Sequence, residues 1–307
     1  MTASMVAEEH WAKKGPVSLF ISRKKLKTAA TGAERRPPVI LVHGSSTSAL
    51  PTFDLTVPGR PDYSFMEWLA LRGWDVWAMD HEGYGRSTST DGNSDIASGV
   101  EDLKAAAGLI AEKTGSKAFN LYGLSSGALR VAAFAQAAPE MTARLVLDAF
   151  VWTGEGSPTL IKRREGIAQF RASNKRAIDR DYIKSIFLRD GPEATDPEVA
   201  EACAHAQLAL GSSVPTGTYL DMTTRLPIVD PGLITAPTMI VRGEHDTIAT
   251  MEDLLGFFQR LPSNDKRFAV LPGLAHVATL GTKRHLVWNA TAEFFLAGLG
   301  DASEHMR

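Results

Sequence analysis

Apolar positions along the chain fall into short runs that alternate with longer amphipathic stretches. Runs rich in β-branched and aromatic residues near 17–23, 38–43, 74–79, 118–123, 144–149, 237–242 and 267–271 predict strands. Between most of them, apolar residues recur at helical spacing near 63–72, 95–114, 126–138, 251–261 and 283–299. Runs such as Val39-Ile-Leu-Val and Leu145-Val-Leu lack polar alternation, so both faces of their sheet should be covered. The pattern predicts an α/β fold, a mostly parallel, doubly wound sheet between helical layers. The alternation stops between about Val151 and Pro231. That stretch carries helical patterns, as at Pro158–Ala172 and Pro197–Leu210, and no convincing strand run. Residues 151–232 therefore read as an insertion dividing a core of residues 1–150 and 233–307. The basic stretch Arg23–Arg36 reads as a solvated hairpin or loop.

Composition narrows the possible partners. With 33 Lys and Arg against 35 Asp and Glu, the charge balance gives no reason to expect nucleic acid or a membrane surface. The single cysteine, Cys203, leaves no intrachain disulfide and fits a reducing compartment. Met1–Trp11 shows no basic start followed by an apolar stretch, and no apolar run approaches the roughly 18 residues that cross a bilayer. The expectation is a soluble cytoplasmic enzyme acting on a small molecule, its oligomeric state open.

Candidate chemistry lies at the strand ends. Gly123-Leu-Ser125-Ser-Gly127 is a G-x-S-x-G motif between a strand pattern and the alanine-rich helix pattern stopped by Pro139, the context of a nucleophile elbow. Such a turn presses the serine backbone against its neighbours, which a Cβ at either flank would obstruct. Pro237–Gly243 runs into Glu244-His245-Asp246, and Phe268-Ala-Val-Leu runs through Pro272-Gly-Leu-Ala to His276. A parallel sheet collects such loops at its carboxyl edge. Pro38–Val42 enters His43-Gly44-Ser45-Ser46, a small-residue loop. Asp80-His-Glu-Gly83-Tyr-Gly85-Arg-Ser87 fits a D-x-x-G-x-G-x-S turn.

With these segments in this order, the chain resembles the α/β-hydrolase fold family, in the branch carrying a helical cap inserted after the sixth strand. The resemblance covers residues 15–150 and 233–300. It implies Ser125 as nucleophile, His276 as base and Asp246 as acid, with Asp148 after the sixth strand as the rival acid. It also implies an oxyanion hole from the backbone N–H groups of Ser126 and Ser45, with Ser46 as second choice. His43 then braces the oxyanion loop, and Asp80 and Arg86 are structural. No metal or other cofactor is called for. Relatives that attack through an aspartate at the elbow, the haloalkane dehalogenases and epoxide hydrolases, are excluded, because a serine there points to acyl transfer. Ester, lactone, amide, thioester and carbon–carbon bonds stay open, as do cofactor-free lyase or dioxygenase chemistry and a non-catalytic ligand receptor. The expected reaction is hydrolysis of a carboxylic ester or lactone. Ser46, Phe150 and Trp152 are candidate pocket residues. Residues 151–190 hold nine Lys or Arg against five acids, either a solvated face or a basic rim for an anionic substrate.

Overall fold

The computed structural model describes residues 4–27 and 36–297. Its strands are β1 (Met5–Lys14), β2 (Val17–Leu26), β3 (Val39–Val42), β4 (Val76–Met79), β5 (Phe119–Leu124), β6 (Thr142–Asp148), β7 (Lys175–Ala177), β8 (Ser213–Pro215), β9 (Thr238–Gly243) and β10 (Lys266–Leu271). The helices are α1 (Ala49–Phe53), α2 (Phe65–Ala70), α3 (Ile96–Thr114), α4 (Ser126–Ala137), α5 (Pro158–Arg163), α6 (Ile167–Ala172), α7 (Arg180–Leu188), α8 (Pro197–Leu210), α9 (Gly217–Thr224), α10 (Met251–Arg260) and α11 (His285–Leu296). An eight-stranded sheet runs β1-β2-β4-β3-β5-β6-β9-β10, parallel from β4 onward, with β1 and β2 antiparallel at one edge. The fold is that of an α/β-hydrolase.

The central strands are short and largely apolar, β3 and β4 wholly so, because both faces are buried. Ile40, Leu121 and Leu147 face a cluster with α3, α4 and α10, while Val39, Tyr122 and Val146 face a second cluster with α2 and α11. Helix ends follow their sequence signals. Asp95 caps α3 by accepting from the Ser98 amide, and Gly115 closes it in a left-handed conformation.

Four expectations are corrected here. The chain has an additional first strand, β1, paired with β2 over its whole length. Lys24–Leu26 continue β2, and Arg23 is buried between Asp75 and Glu8, so the start of the basic stretch is sheet held by ion pairs; residues 28–35 lie outside the described residues. Residues 151–232 contain strands after all. β7 and β8 are three residues each and pair antiparallel, a contact made between distant segments that local pattern does not signal. The helix expected over Pro158–Ala172 is broken at Arg164–Gly166 into α5 and α6. The inserted segment has a core of its own, in which Phe170, Ile183, Phe187 and Tyr219 pack with Leu55, Tyr63 and Tyr84 from core loops.

Candidate active site

Ser125 sits between β5 and α4 with φ +58° and ψ −120°, a region that a residue with a side chain adopts only under constraint. The constraint comes from both flanks. A Cβ on Gly123 would overlap the Gly127 carbonyl, and one on Gly127 would overlap the Val42 carbonyl. Gly123 thus lets the turn close against α4 and Gly127 lets it close against β3, and the Ser125 amide is anchored on the Asp148 carbonyl at 2.8 Å. The hydroxyl stands at the N-terminus of α4, where the helix dipole favours developing negative charge.

His276 follows β10 through the Gly273 turn. The Ser125 hydroxyl donates to its Nε2 at 3.1 Å, and its Nδ1–H donates to Asp246 Oδ1 at 2.9 Å. Asp246 also accepts from the Ile248 amide at 3.0 Å. Burial acts to raise the Asp246 carboxyl, but the charge and hydrogen bond of His276 and the Ile248 amide outweigh it and hold it below its usual value. A carboxylate kept ionised beside Nδ1 fixes the tautomer that leaves Nε2 free to accept a proton. Asp148 is placed differently. It accepts from the Tyr122 hydroxyl, and burial, opposed by that bond and assisted by the charge of Asp246, pushes it up to about 7. The structure brings Asp246 to His276 and leaves Asp148 on the buried side of β6.

Gly44 and Ser45 come from the loop after β3. Gly44 packs against the Ser125 Cβ, where an added Cβ would stand 3.3 Å away. Among the described residues, neither the Ser45 nor the Ser126 backbone N–H donates to another protein group. The loop is braced from two sides. His43 takes the His81 amide on Nε2 at 3.2 Å, so its Nδ1–H donates to the Gly44 carbonyl at 2.7 Å; burial holds this imidazole neutral, far below its usual pKa. The Ser45 carbonyl accepts from Tyr84 at 3.0 Å and from Tyr219 at 3.3 Å. Thr218 donates to the Ser45 hydroxyl, which donates to the Ser126 hydroxyl, each at 2.8 Å. Asp80 fixes the neighbouring turn by accepting from the Ala49 and Arg86 amides, while burial raises its carboxyl to about 6. His245 stands beside Glu244, away from this relay.

Ser125 and His276 open on a cavity of about 40 Å³. Core loops supply Ser45, Ser46 and Leu280 to its wall, and the insertion supplies Arg163, Phe187 and Cys203. Phe150 and Trp152 do not reach it. Phe150 packs edge-to-face on Phe257 of α10 at 4.7 Å, and Trp152 lies against the same ring while its Nε1–H donates to the Val229 carbonyl at 3.0 Å. The chain turns toward α10 just after β6, which carries both rings away from the cavity. Ser46 does line it, donating or accepting through Tyr219 at 2.9 Å and Tyr182 at 3.1 Å. Those two tyrosines and Phe187 carry no functional signal in the sequence, and Cys203 stands out there only as a lone thiol. No spacing marks them, since each reaches the site only through the packing of its helix.

Fold and site geometry define an α/β-hydrolase. Residues 58–280 match the family model described as serine aminopeptidase, S33, and the chain belongs to that family. The fold is shared with solved structures at low identity. E-2-(acetamidomethylene)succinate hydrolase is 17% identical with a TM-score of 0.68, the match covering 94% of this chain and 99% of that one. A thermophilic esterase from Thermogutta terrifontis is 20% identical at TM-score 0.67, over 95% of this chain and 99% of the esterase. The thioesterase domain from the curacin biosynthetic pathway is 18% identical at TM-score 0.63, over 95% and 99%. Comparison with curated protein sequences finds no match. No helix among the described residues is long and apolar enough to cross a membrane.

Proposed function

We propose that the chain is a serine hydrolase that cleaves an ester-type bond, a carboxylic ester or lactone, of a small molecule through an acyl-enzyme. The observation that carries this reading is the continuous relay from Ser125 through His276 to an ionised Asp246, opening on a cavity at the start of α4. In the first half-reaction, His276 Nε2 takes the Ser125 proton as Oγ bonds to the substrate carbonyl carbon. The free Ser45 and Ser126 N–H groups receive the oxyanion. The carbon–oxygen bond to the leaving group then breaks, and His276 returns the proton to the departing alkoxide. Water reverses the sequence, giving its proton to His276 and releasing the acid with Ser125 restored.

In this reading residues 151–232 act as a cap. A cavity of about 40 Å³ is far below the several hundred Å³ typical of ligand sites, so the insertion must part from the core for substrate to reach Ser125. The family description speaks of aminopeptidases, whose substrates present a protonated amine. Here Arg163 and Arg189 line the cavity and no carboxylate does, the wrong sign for such a group, and an ester is the better reading. A cytoplasmic setting fits the single buried cysteine.

The test is 4-nitrophenyl acetate turnover with stopped-flow detection and labelling by a fluorophosphonate. A burst of nitrophenol equal to the enzyme concentration, with the label on Ser125, is expected. Label on another serine, or turnover that survives Ser125→Ala, would refute the assignment.

A further inference from the structure

The nine cations of residues 151–190 divide into two groups. Those on the outside are solvated or paired. Lys162, Arg164 and Arg171 are exposed, Lys175 donates to the Ser89 hydroxyl, and Arg180 and Lys184 share Glu201 at 2.8 and 3.2 Å. Arg163, Arg176 and Arg189 are arranged otherwise. They come from the end of α5, from β7 and from just after α7; Arg163 and Arg189 line the cavity that holds Ser125, and Arg176 packs outside that lining on the Tyr182 and Tyr219 rings.

Arg163 is the least compensated of the three. It lines the cavity, and among the described residues its guanidinium has one hydrogen-bond partner, the Met222 sulfur at 3.6 Å, a weak acceptor. The Tyr219 ring lies under it at 5.2 Å. Arg176 stacks on Tyr182 at 4.2 Å and on Tyr219 at 4.9 Å. Among the described residues no carboxylate forms an ion pair with Arg163 or Arg176. Arg189, which also lines the cavity, pairs with the adjacent Asp190 through Nε at 2.9 Å, leaving the terminal nitrogens of its fork outside that pair. The surroundings register this positive field. Burial acts to raise the Tyr182 phenol, yet Arg176 and Arg163 bring it below its ordinary value. Burial lowers Arg163 itself, with Tyr219 and Tyr182 opposing and Arg189 and Arg176 adding to the effect. A half-buried guanidinium without an anion is costly to keep. Its planar fork of donors matches a carboxylate.

We propose that the cavity, once the insertion has parted from the core, takes a small ester bearing a carboxylate, received by Arg163 and Arg189 on its insertion side. This inference rests on the hydrolase reading for its chemistry but not for its binding. The charged group is held on the insertion side while the ester carbonyl meets Ser125 and the Ser45 and Ser126 amides on the core side. Ser46, held by Tyr182 and Tyr219, adds a hydroxyl to the lining. The apolar wall of Leu124, Ile186, Phe187, Val277 and Leu280 fits a short carbon chain linking them.

The experiment compares monomethyl succinate with methyl 4-methylpentanoate, which replaces the carboxylate by an uncharged isopropyl group of the same shape. Methanol release should favour the anion by tenfold or more in kcat/KM. Arg163→Met should lower that preference about tenfold to a hundredfold, the range expected for lost hydrogen bonds to a charged group, and mainly through KM for the anion. Arg164→Met, which changes an exposed charge one residue away, should leave the preference intact. Arg189→Met serves as a second variant if Arg163→Met fails to fold. Calorimetry of monomethyl succinate on Ser125→Ala measures the anion site without turnover. Binding that Arg163→Met or Arg189→Met abolishes supports the proposal even if neither ester is cleaved, an outcome that would count against the hydrolase reading alone. Equal preference for both esters together with no such binding overturns it, and so does a preference that Arg164→Met removes as completely as Arg163→Met.

Discussion

The core loops and the insertion meet at one cavity but hold their residues by different means. On the core side, Ser45, Ser125, Asp246 and His276 follow β3, β5, β9 and β10, all parallel strands of one sheet, so their spacing is inherited from the backbone ladder. Ser125 is then locked in the ladder by its amide on the Asp148 carbonyl, and Asp246 by the Ile248 amide, while Ser45 also takes bonds from Tyr219 and Thr218 of the insertion. On the insertion side, Arg163, Phe187 and Tyr219 come from α5, α7 and α9, which share no sheet and are tied together by aromatic packing and the three-residue pair β7–β8. The core side is therefore fixed by many cooperative hydrogen bonds. The insertion side depends on side-chain contacts that can be exchanged without disturbing the sheet. The proposed function puts reaction chemistry where geometry is hardest to change, and the proposed anion site where it is easiest.

The deepest break in that contrast should come from the nucleophile. Ser125→Ala is expected to lower kcat by about 10⁴ or more while the fold survives, because the sheet positions the residue without using its hydroxyl. Far-ultraviolet circular dichroism and steady-state kinetics on the same preparation check both halves of this expectation. A variant retaining a tenth of wild-type turnover would remove Ser125 from the mechanism.

Next is the pair Asp246→Asn and Asp148→Asn. Loss of the Asp246 charge should misorient His276 and cost up to about 10⁴ in kcat, by analogy with other triads. Asp148→Asn should keep most of the activity and instead change the pH dependence of stability. The folded chain holds Asp148 at about 7 against an ordinary value of 3.8, so the folded state keeps a proton that the unfolded state loses. Asp148 therefore works against stability increasingly as pH rises from about 4 to about 7, and evenly above that. Across that window Asp148→Asn should gain on the wild type by up to about 4 kcal/mol, read from urea melts at a series of pH values. A crippled Asp148→Asn with an active Asp246→Asn would move the acid to β6.

The join between the two sides is tested by Thr218→Val. Thr218 lies in the insertion, and its hydroxyl starts the chain that runs through Ser45 to Ser126, the two residues proposed to receive the oxyanion. Removing it frees the Ser45 hydroxyl without touching a reacting group. We expect kcat to fall about three- to tenfold with KM little changed, the size of one neutral hydrogen bond. An unchanged kcat would mean that the core loop holds its own geometry and that the two sides are independent.

How far each side was legible follows from the same contrast. The elbow, the His276 loop and Asp246 are encoded locally, by glycines where a Cβ would overlap backbone and by strand runs that end in short loops, so they stood out in the sequence. β1 did not, because only Ala12 of Met5–Lys14 is buried and its alternation carries charges on both faces. Its place comes from pairing with β2. Arg23 reads as part of a solvated basic run because its partners are distant in sequence, Glu8 on β1 and Asp75 just before β4. Within the insertion, the excess of cations was visible, yet their division into outward and inward groups depends on which helix face meets the core, a tertiary property. The expectation that Phe150 and Trp152 line the pocket follows from their proximity to β6. Direction, which proximity does not supply, takes them to α10.

That direction yields the smallest of the expected effects. Phe150 is buried against Phe257, with ring centroids 4.7 Å apart, in the cluster that covers the α3, α4 and α10 face of the sheet. Phe150→Leu removes the edge-to-face contact and leaves some unfilled volume, which should cost about 1–2 kcal/mol of stability. Because the ring does not line the cavity at Ser125, KM and the preference between charged and neutral esters should stay within about twofold of wild type. Trp152→Phe should behave alike, losing the hydrogen bond to the Val229 carbonyl for about 1 kcal/mol. Thermal melts and a two-substrate kinetic comparison separate the effects. If either variant shifts KM several-fold with no change in Tm, its ring contacts substrate once the insertion opens, and the division between a rigid core and a discriminating insertion would have to be redrawn through the segment just after β6.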